Sequence, residues 1–168
     1  MIYLVHHGPA ALPEVDAQRP LTAAGRELAA RLARDVAARG VRVGSVWHSG
    51  KLRARQTAEA FRLACNPLAA FTMVRGLQPS DPSDILADRL AGETGDVMLV
   101  GHLPHVARLL RRLLGRVGDE ELGFPPHGVV ALEPDPGPEG DPARWREAWR
   151  LTSDGPGLDG PGSGTGSG

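Results

Sequence analysis

The feature that most constrains the fold of this chain is a repeated alternation of short apolar runs with helical patterns. The apolar runs, several of them rich in β-branched residues, lie at positions 2–5, 43–48, 71–74, 97–100 and 129–132. Helical patterns lie between them, at positions 22–39, 52–64, 82–91 and 106–114. This alternation is typical of an α/β domain, in which helices cover both faces of a mainly parallel sheet.

Capping residues support two of the predicted helices. Thr22 can cap the first helix, and Gly40 can take the left-handed position that ends it. Asp81 and Pro82 have the order of a cap and a first-turn proline, which predicts a helix from Pro82 onwards. Two segments near the C-terminal end are read differently. The proline-rich residues 133–141 are predicted to form a loop. Trp145 and Trp149 fit either a short helix or a strand.

The composition indicates one soluble domain. With 168 residues, 41% of them apolar, the chain can bury a single core, which we place at residues 1–154. Residues 155–168 read GPGLDGPGSGTGSG and are expected to form a flexible tail or linker. No apolar stretch approaches the roughly 20 residues that cross a bilayer, and no signal-type segment precedes the first strand.

Charge and cysteine content exclude several classes of function. The 19 basic and 20 acidic residues give a net charge of -1, so there is no long-range attraction to nucleic acid or to an anionic membrane. Any anion-binding site must therefore be a local cluster of arginines and histidines. Cys65 is the only cysteine, which excludes an internal disulfide and a cysteine zinc site and favours a cytoplasmic location.

Two histidines follow directly on predicted buried strands. His7 and His102 each come after an apolar run, and each has a glycine beside it, which allows backbone or ligand to approach closely. Because the ends of parallel strands carry the chemistry of open α/β sheets, these imidazoles are expected to share a site. One of them can be the nucleophile and the other its partner.

Arginines at suitable positions favour phosphoryl chemistry over metal binding. Arg53 lies just inside a predicted helix, where unpaired amides and a forked guanidinium can hold a phosphate. Arg19 can be a further cation or a surface charge. A metal site is disfavoured, because His6 and His7, as neighbours on an extended chain, should point to opposite sides. No cofactor is expected.

Five strings in fixed order resemble a known family. They are LVHHGPA, RPLT, HSGKLRARQTA, LQPSDP and VGHLP, between Met1 and about Leu114. Together they resemble the histidine phosphatase superfamily, and most closely its short SixA-like phosphohistidine phosphatase branch. The resemblance implies a three-layer α/β/α sandwich with the phosphoglycerate mutase-like fold, and chemistry through a phosphorylated histidine.

The resemblance also assigns roles to particular residues. It implies that His7 is the nucleophile, that Arg53 and His102 bind the phosphoryl oxygens, and that Arg19 is a further pocket cation. Larger members of the family have a carboxylate proton donor after the third strand, whereas LQPSDP has no glutamate, as in the SixA-like branch. Asp81, which the predicted cap already explains, and His127, before the last strand, are the remaining candidates for a proton donor.

His6 departs from the family pattern, which has an arginine immediately before the nucleophile. A histidine offers one donor on that side and is charged only near or below its usual pKa of about 6.5, so affinity for phosphate should fall. If the site keeps His6 protonated, activity tilts towards acid pH. If not, the protein is a weak phosphatase or a binding module.

Three functions are therefore compared. The first is a phosphatase that acts through phospho-His7 on protein phosphohistidine or on a small phosphate ester. The second is a non-catalytic module that binds phosphate or phosphohistidine. The third is a phosphoglycerate mutase-like phosphotransferase, although residues 74–97 are too few to build a large cover over a sugar phosphate. The expected partners are a phosphorylated protein or a small phosphorylated substrate, with no nucleic acid and no membrane.

Overall fold

The computed structural model of the chain describes residues 1–116, 123–135, 145–153 and 155–156. Its strands are β1 (Ile2–His6), β2 (Ser45–His48), β3 (Ala70–Met73), β4 (Val97–Gly101), β5 (Val129–Pro134), β6 (Trp145–Thr152) and β7 (Gly155–Pro156). Its helices are α1 (Ala23–Ala38), α2 (Leu52–Cys65), α3 (Asp84–Ala91) and α4 (His105–Leu113). Each predicted strand and helix is present in the described residues.

The described strands form one sheet in the order β3-β2-β4-β1-β5-β6-β7. The pairs β3-β2, β2-β4 and β4-β1 are parallel, whereas β5 runs antiparallel to β1 and β6 runs antiparallel to β5. Five of the seven strands therefore share one direction, with β5 and β7 opposed. The parallel part places the carboxyl ends of β1, β2 and β4 at one edge, where the predicted site residues follow them.

The helices cover the two faces of this sheet, which gives three layers. On β1, Tyr3 and Val5 pack with residues of α1 and α2, while Ile2 and Leu4 pack with residues of α3 and α4. This alternation follows from the two-residue period of a strand. Each fully buried leucine or phenylalanine contributes about 1.5–3 kcal/mol to stability, so both layers are firmly attached. The predicted three-layer α/β/α sandwich is confirmed.

The ends of the helices agree with the sequence in one case and differ in another. Thr22 caps α1 by accepting the amide of Gly25, and Gly40 has a φ of 80°, as expected. Asp81 does not cap α3, which begins at Asp84. Its carboxylate instead accepts the amide of Gln78 at 2.8 Å, so it closes the turn before the helix.

The C-terminal part of the sheet resolves the choice that the sequence left open. Trp145 and Trp149 lie on β6, a strand, and Tyr3 packs against Trp149 at a ring separation of 5.9 Å. β5 extends to Pro134, so the prediction of a loop is wrong for residues 133 and 134, and residues 136–141 of the predicted loop lie outside the described residues. The first two residues of the predicted tail pair with β6 as β7. The remainder, residues 157–168, lies outside the described part, so the tail stays a prediction.

Among the described helices, none has the length and apolarity that crossing a bilayer requires.

Candidate active site

The pairing of β1 with β4 brings two of the predicted site histidines together. His6 is paired with Gly101, and the amide of His7 donates to the Gly101 carbonyl at 3.2 Å. The next residue on each strand is then a histidine, and the rings of His7 and His102 meet edge to face with centroids 4.9 Å apart. Parallel register is thus the reason that these imidazoles share a site.

The segment after His7 is fixed against two helices. A Cβ on Gly8 would lie 2.9 Å from the Gly25 carbonyl oxygen, so glycine is needed for the close approach to α1. The Gly8 amide donates to the Thr57 hydroxyl at 3.1 Å, and this hydroxyl donates to the Arg53 carbonyl at 2.8 Å. Thr57 thereby links the loop after β1 to the first turns of α2.

His7 has hydrogen bonds that select one tautomer. Its Nδ1 lies 2.7 Å from the Gly8 carbonyl oxygen, which can only accept, so Nδ1 carries the proton. Its Nε2 accepts from the Arg53 Nε at 3.2 Å, which requires a lone pair there. Nε2 therefore carries the free lone pair of the ring, and it faces the guanidinium of Arg53.

The two predicted arginines are placed differently around His7. Arg53, the second residue of α2, is 9% exposed, and its pKa is lowered by burial and by the charge of Arg19. Arg19 has a left-handed φ of 51°, and its Nε donates to the Ala11 carbonyl at 3.1 Å. Its positive charge also lowers the pKa of His7 and that of Arg53.

His102 is held from the β2 side of the sheet. Its Nε2 lies 2.7 Å from the Ser49 hydroxyl, and among the described residues its buried Nδ1 has no hydrogen-bond partner. Burial is the largest cause that lowers the pKa of His102 to about 3, followed by the charges of His7 and Arg53. A buried imidazole nitrogen without a partner is costly, so it marks a place for a ligand or water.

His6 lies on the opposite side of the site, against His127. The His127 amide donates to the His6 Nδ1 at 2.9 Å, so His6 carries its proton on Nε2 and is neutral. The two rings are stacked, with centroids 4.8 Å apart and 9° between their planes. The Nδ1 of His127 lies 2.6 Å from the His7 carbonyl oxygen and donates to it.

His6 and His7 are poor bases in this environment. Burial, as the largest cause, lowers the pKa of His6 to about 3 and that of His7 to about 4. The positive charge of Arg53 lowers both further, and the hydrogen bond to the Gly8 carbonyl partly offsets the effect on His7. At neutral pH the Nε2 of His7 is thus free of a proton, and His6 supplies no positive charge.

The structure brings together His7, Arg53, His102, His6 and Arg19, all of which the sequence singled out. His127, a secondary prediction, is an integral part of the cluster because β5 pairs antiparallel with β1 and its preceding turn reaches the end of β1. Sequence reasoning missed Ser49 and Thr57, although both lie in the string HSGKLRARQTA that carried the resemblance.

Three other polar residues lie apart from this cluster. Asp81 is held by the turn before α3, so its part as a proton donor has no support from the contacts described. His48 packs on Phe71 at a ring separation of 4.7 Å. His105 is fully buried, because the first turn of α4 packs into the core.

The N-terminal part of the chain is similar in sequence to a known family. The family model of the histidine phosphatase superfamily (branch 1) matches residues 2–78, which include His7, Arg19 and Arg53. Over this segment the chain is similar to the histidine phosphatase superfamily. His102 and His127 lie beyond the matched segment, and their proximity to His7 comes from the fold. No sequence among the curated proteins matches the chain.

Solved structures of superfamily members have the same fold. The protein histidine phosphatase SixA complexed with tungstate is 23% identical, covering 91% of this chain and 97% of that chain, with a TM-score of 0.78. A SixA protein from Agrobacterium tumefaciens is 28% identical, covering 90% and 96%, with a TM-score of 0.72. A phosphoglycerate mutase from Plasmodium falciparum is 17% identical, covering 96% and 95%, with a TM-score of 0.68. These similarities confirm the phosphoglycerate mutase-like fold and support the SixA-like branch.

Proposed function

We propose that the chain is a phosphatase that forms a phosphohistidine on His7 and acts on protein phosphohistidine or on a small phosphate ester. The observation that carries the proposal is the orientation of His7. Its Nδ1 is anchored on the Gly8 carbonyl, the lone pair of Nε2 faces Arg53, and the ring of His102 packs edge to face against that of His7. The similar SixA protein is complexed with tungstate, a tetrahedral oxyanion, which supports an oxyanion as the ligand of this site.

In the first step, the Nε2 lone pair of His7 attacks phosphorus, and the bond from phosphorus to the leaving group breaks with its electron pair. The His7 ring keeps its Nδ1 proton and becomes positive, and the Gly8 carbonyl at 2.7 Å stabilises that charge. The Arg53 N–H that now meets Nε2 is free to turn to a phosphoryl oxygen. Fixed donors of this kind hold the charge on the equatorial oxygens.

In the second step, water attacks phosphorus from the leaving-group side, and the bond between phosphorus and His7 breaks. The electron pair returns to Nε2, and the proton lost by water leaves with the phosphate. When the leaving group of the first step is an imidazole, it departs with less need of a general acid than an alkoxide does. This agrees with the position of Asp81 away from the cluster and favours phosphate bound to nitrogen.

A non-catalytic phosphate-binding module is the second candidate, and one observation favours it. His6 is neutral because its Nδ1 accepts the His127 amide, so it offers the phosphate one uncharged donor where the family pattern has arginine. A phosphoglycerate mutase-like phosphotransferase is less well supported, since between β3 and β4 the chain has only the eight-residue helix α3.

The buried free thiol of Cys65 supports a cytoplasmic location.

Trapping the phosphoenzyme tests the proposal. Purified protein is incubated with a labelled phosphoramidate donor, denatured in alkali and digested, and the labelled peptide is identified. Wild type is expected to hold acid-labile phosphate on the peptide that contains His7, and His7→Asn is expected to hold none. Asn is chosen because its amide can still donate to the Gly8 carbonyl.

The matched control is His48→Asn, which removes another buried histidine at a strand end and keeps an acceptor for the Gly50 amide. It should label like wild type. Equal label on wild type and His7→Asn would refute the nucleophile. Saturable binding of inorganic phosphate without label on wild type would establish the binding module instead.

A further inference from the structure

His6, His7 and His127 form a cluster of three imidazoles, and the proposed phosphoryl transfer uses only one of them as a nucleophile. One ring nitrogen from each lies within 4.8 Å of the other two. The expectation that His6 and His7 point to opposite sides does not hold, because β1 ends at His6 and their ring centroids are 4.7 Å apart. The geometric objection to a shared metal ion is therefore removed.

Two of the three imidazoles already have the tautomer of a metal ligand. His7 and His127 each donate from Nδ1 to a backbone carbonyl, that of Gly8 and that of His7 respectively. An Nδ1–H bound to a carbonyl leaves a lone pair on Nε2 and fixes the ring, as in most protein metal sites. Because the His7 Nε2 accepts the Arg53 N–H, a metal ion displaces no proton from this ring.

We propose that the cluster of His6, His7 and His127 binds a Zn²⁺-like divalent transition metal ion and that this binding reversibly inhibits the enzyme. Three neutral nitrogen ligands suit Zn²⁺ or Co²⁺ and leave a fourth position for water or an anion, whereas Mg²⁺ and Ca²⁺ require oxygen ligands. The bound metal occupies the Nε2 lone pair of His7, so it and a phosphoryl group cannot be held there together. The inhibition rests on the proposed function, but the binding does not.

The site needs a small rearrangement to close around a metal ion. Zinc–nitrogen bonds of about 2.0–2.1 Å place tetrahedral ligand nitrogens about 3.3 Å apart, so the cluster must contract from its present spread. His127 lies in the turn before β5, outside any helix or strand, and its ring is half-buried, which allows this movement. On His6, the proton must pass from Nε2 to Nδ1, and the hydrogen bond from the His127 amide is broken.

Arg53 opposes the metal ion, because its Nε lies 3.2 Å from the nitrogen that would bind. The permanent charge lowers the affinity, and we expect a Kd on the order of micromolar rather than that of a structural zinc site. This opposition gives the proposal a distinctive signature. Arg53→Gln should bind the metal about tenfold more tightly while losing phosphatase activity.

Cobalt titration tests the binding without any substrate. CoCl2 is added to the metal-free protein at pH 7.5, and the visible absorption of four-coordinate Co²⁺ is recorded before and after displacement with ZnCl2. We expect one strong site in wild type and affinity at least about tenfold weaker in His6→Asn and in His127→Asn. Asn keeps the acceptor that receives the His127 amide at position 6, and at position 127 it keeps a donor and tolerates the left-handed backbone.

The control is again His48→Asn, which should bind Co²⁺ like wild type. Unchanged affinity in both cluster variants, or absence of four-coordinate cobalt in wild type at about twofold excess over roughly 200 µM protein, would overturn the proposal. Inhibition is then measured as the fall in His7 labelling with added ZnCl2, reversed by a chelator. Cobalt binding without any labelling would refute the phosphatase and leave the metal site standing, so the two failures are distinguishable.

Discussion

The two sides of His7 differ in the chemistry of the residues that contact it. On the side of α2, Arg53 brings a permanent charge and Ser49 holds the ring of His102, in an arrangement fixed by a helix and a parallel strand. On the side of the turn before β5, His6 and His127 bring two stacked imidazoles, held by the backbone of an antiparallel strand pair. We refer to these as the α2 side and the turn side.

In this pocket, a polar side chain can lie near His7 without carrying a charge. Both sides place donors near the His7 Nε2, but only the α2 side has a charge that does not depend on pH. On the turn side, His6 is neutral because burial lowers its pKa to about 3 and because its Nδ1 already accepts a backbone amide. The turn side is therefore the part of the pocket where affinity for phosphate can be lost, or where a metal ion can be gained.

The largest effect should come from the α2 side. Arg53→Lys keeps a positive charge but loses the planar pair of donors, so kcat/KM for an aryl phosphate should fall by about 100-fold. Steady-state kinetics at pH 7.5 measures this loss. Arg55→Lys, an exposed position two residues along the same helix, is the matched control and should retain full activity. A loss below about threefold for Arg53→Lys would mean that the α2 side does not bind the phosphoryl group.

The contrast between the α2 side and the turn side explains which site residues were predictable from the sequence. His7, His102 and Arg53 were predictable because each follows the end of a parallel strand at a fixed short distance, a local pattern. His127 was only a secondary prediction, since its place depends on the antiparallel pairing of β5 with β1, which no short-range pattern encodes. Asp81 fits the pattern of a cap for the following helix, but its carboxylate accepts the Gln78 amide in the preceding turn instead.

A smaller effect is expected when the turn side is given the charge it lacks. His6→Arg replaces a neutral donor by a charge-assisted one, and the difference of about 1 kcal/mol per hydrogen bond corresponds to a five- to tenfold gain in affinity for inorganic phosphate. Calorimetric titration of phosphate at pH 8 measures the gain, and kinetics should give a lower KM. Unaltered affinity would show that the side chain at position 6 does not reach the phosphate. The same variant should also fail to bind Co²⁺, because it has lost one ligand.

The smallest expected effect concerns stability and is confined to acid pH. His6, His7 and His102 have pKa values lowered to about 3, 4 and 3, whereas unfolded histidine titrates near 6.5. Between these values the unfolded chain binds protons that the folded chain does not, so stability is full above pH 6.5 and falls as the pH falls towards 4. Each histidine adds about 1 kcal/mol per pH unit to that slope. Urea unfolding at several pH values between 4.5 and 7.5 should therefore give a shallower slope for His6→Asn than for wild type. Parallel slopes would mean that His6 is already protonated in the folded protein, and then the turn side would carry a charge after all.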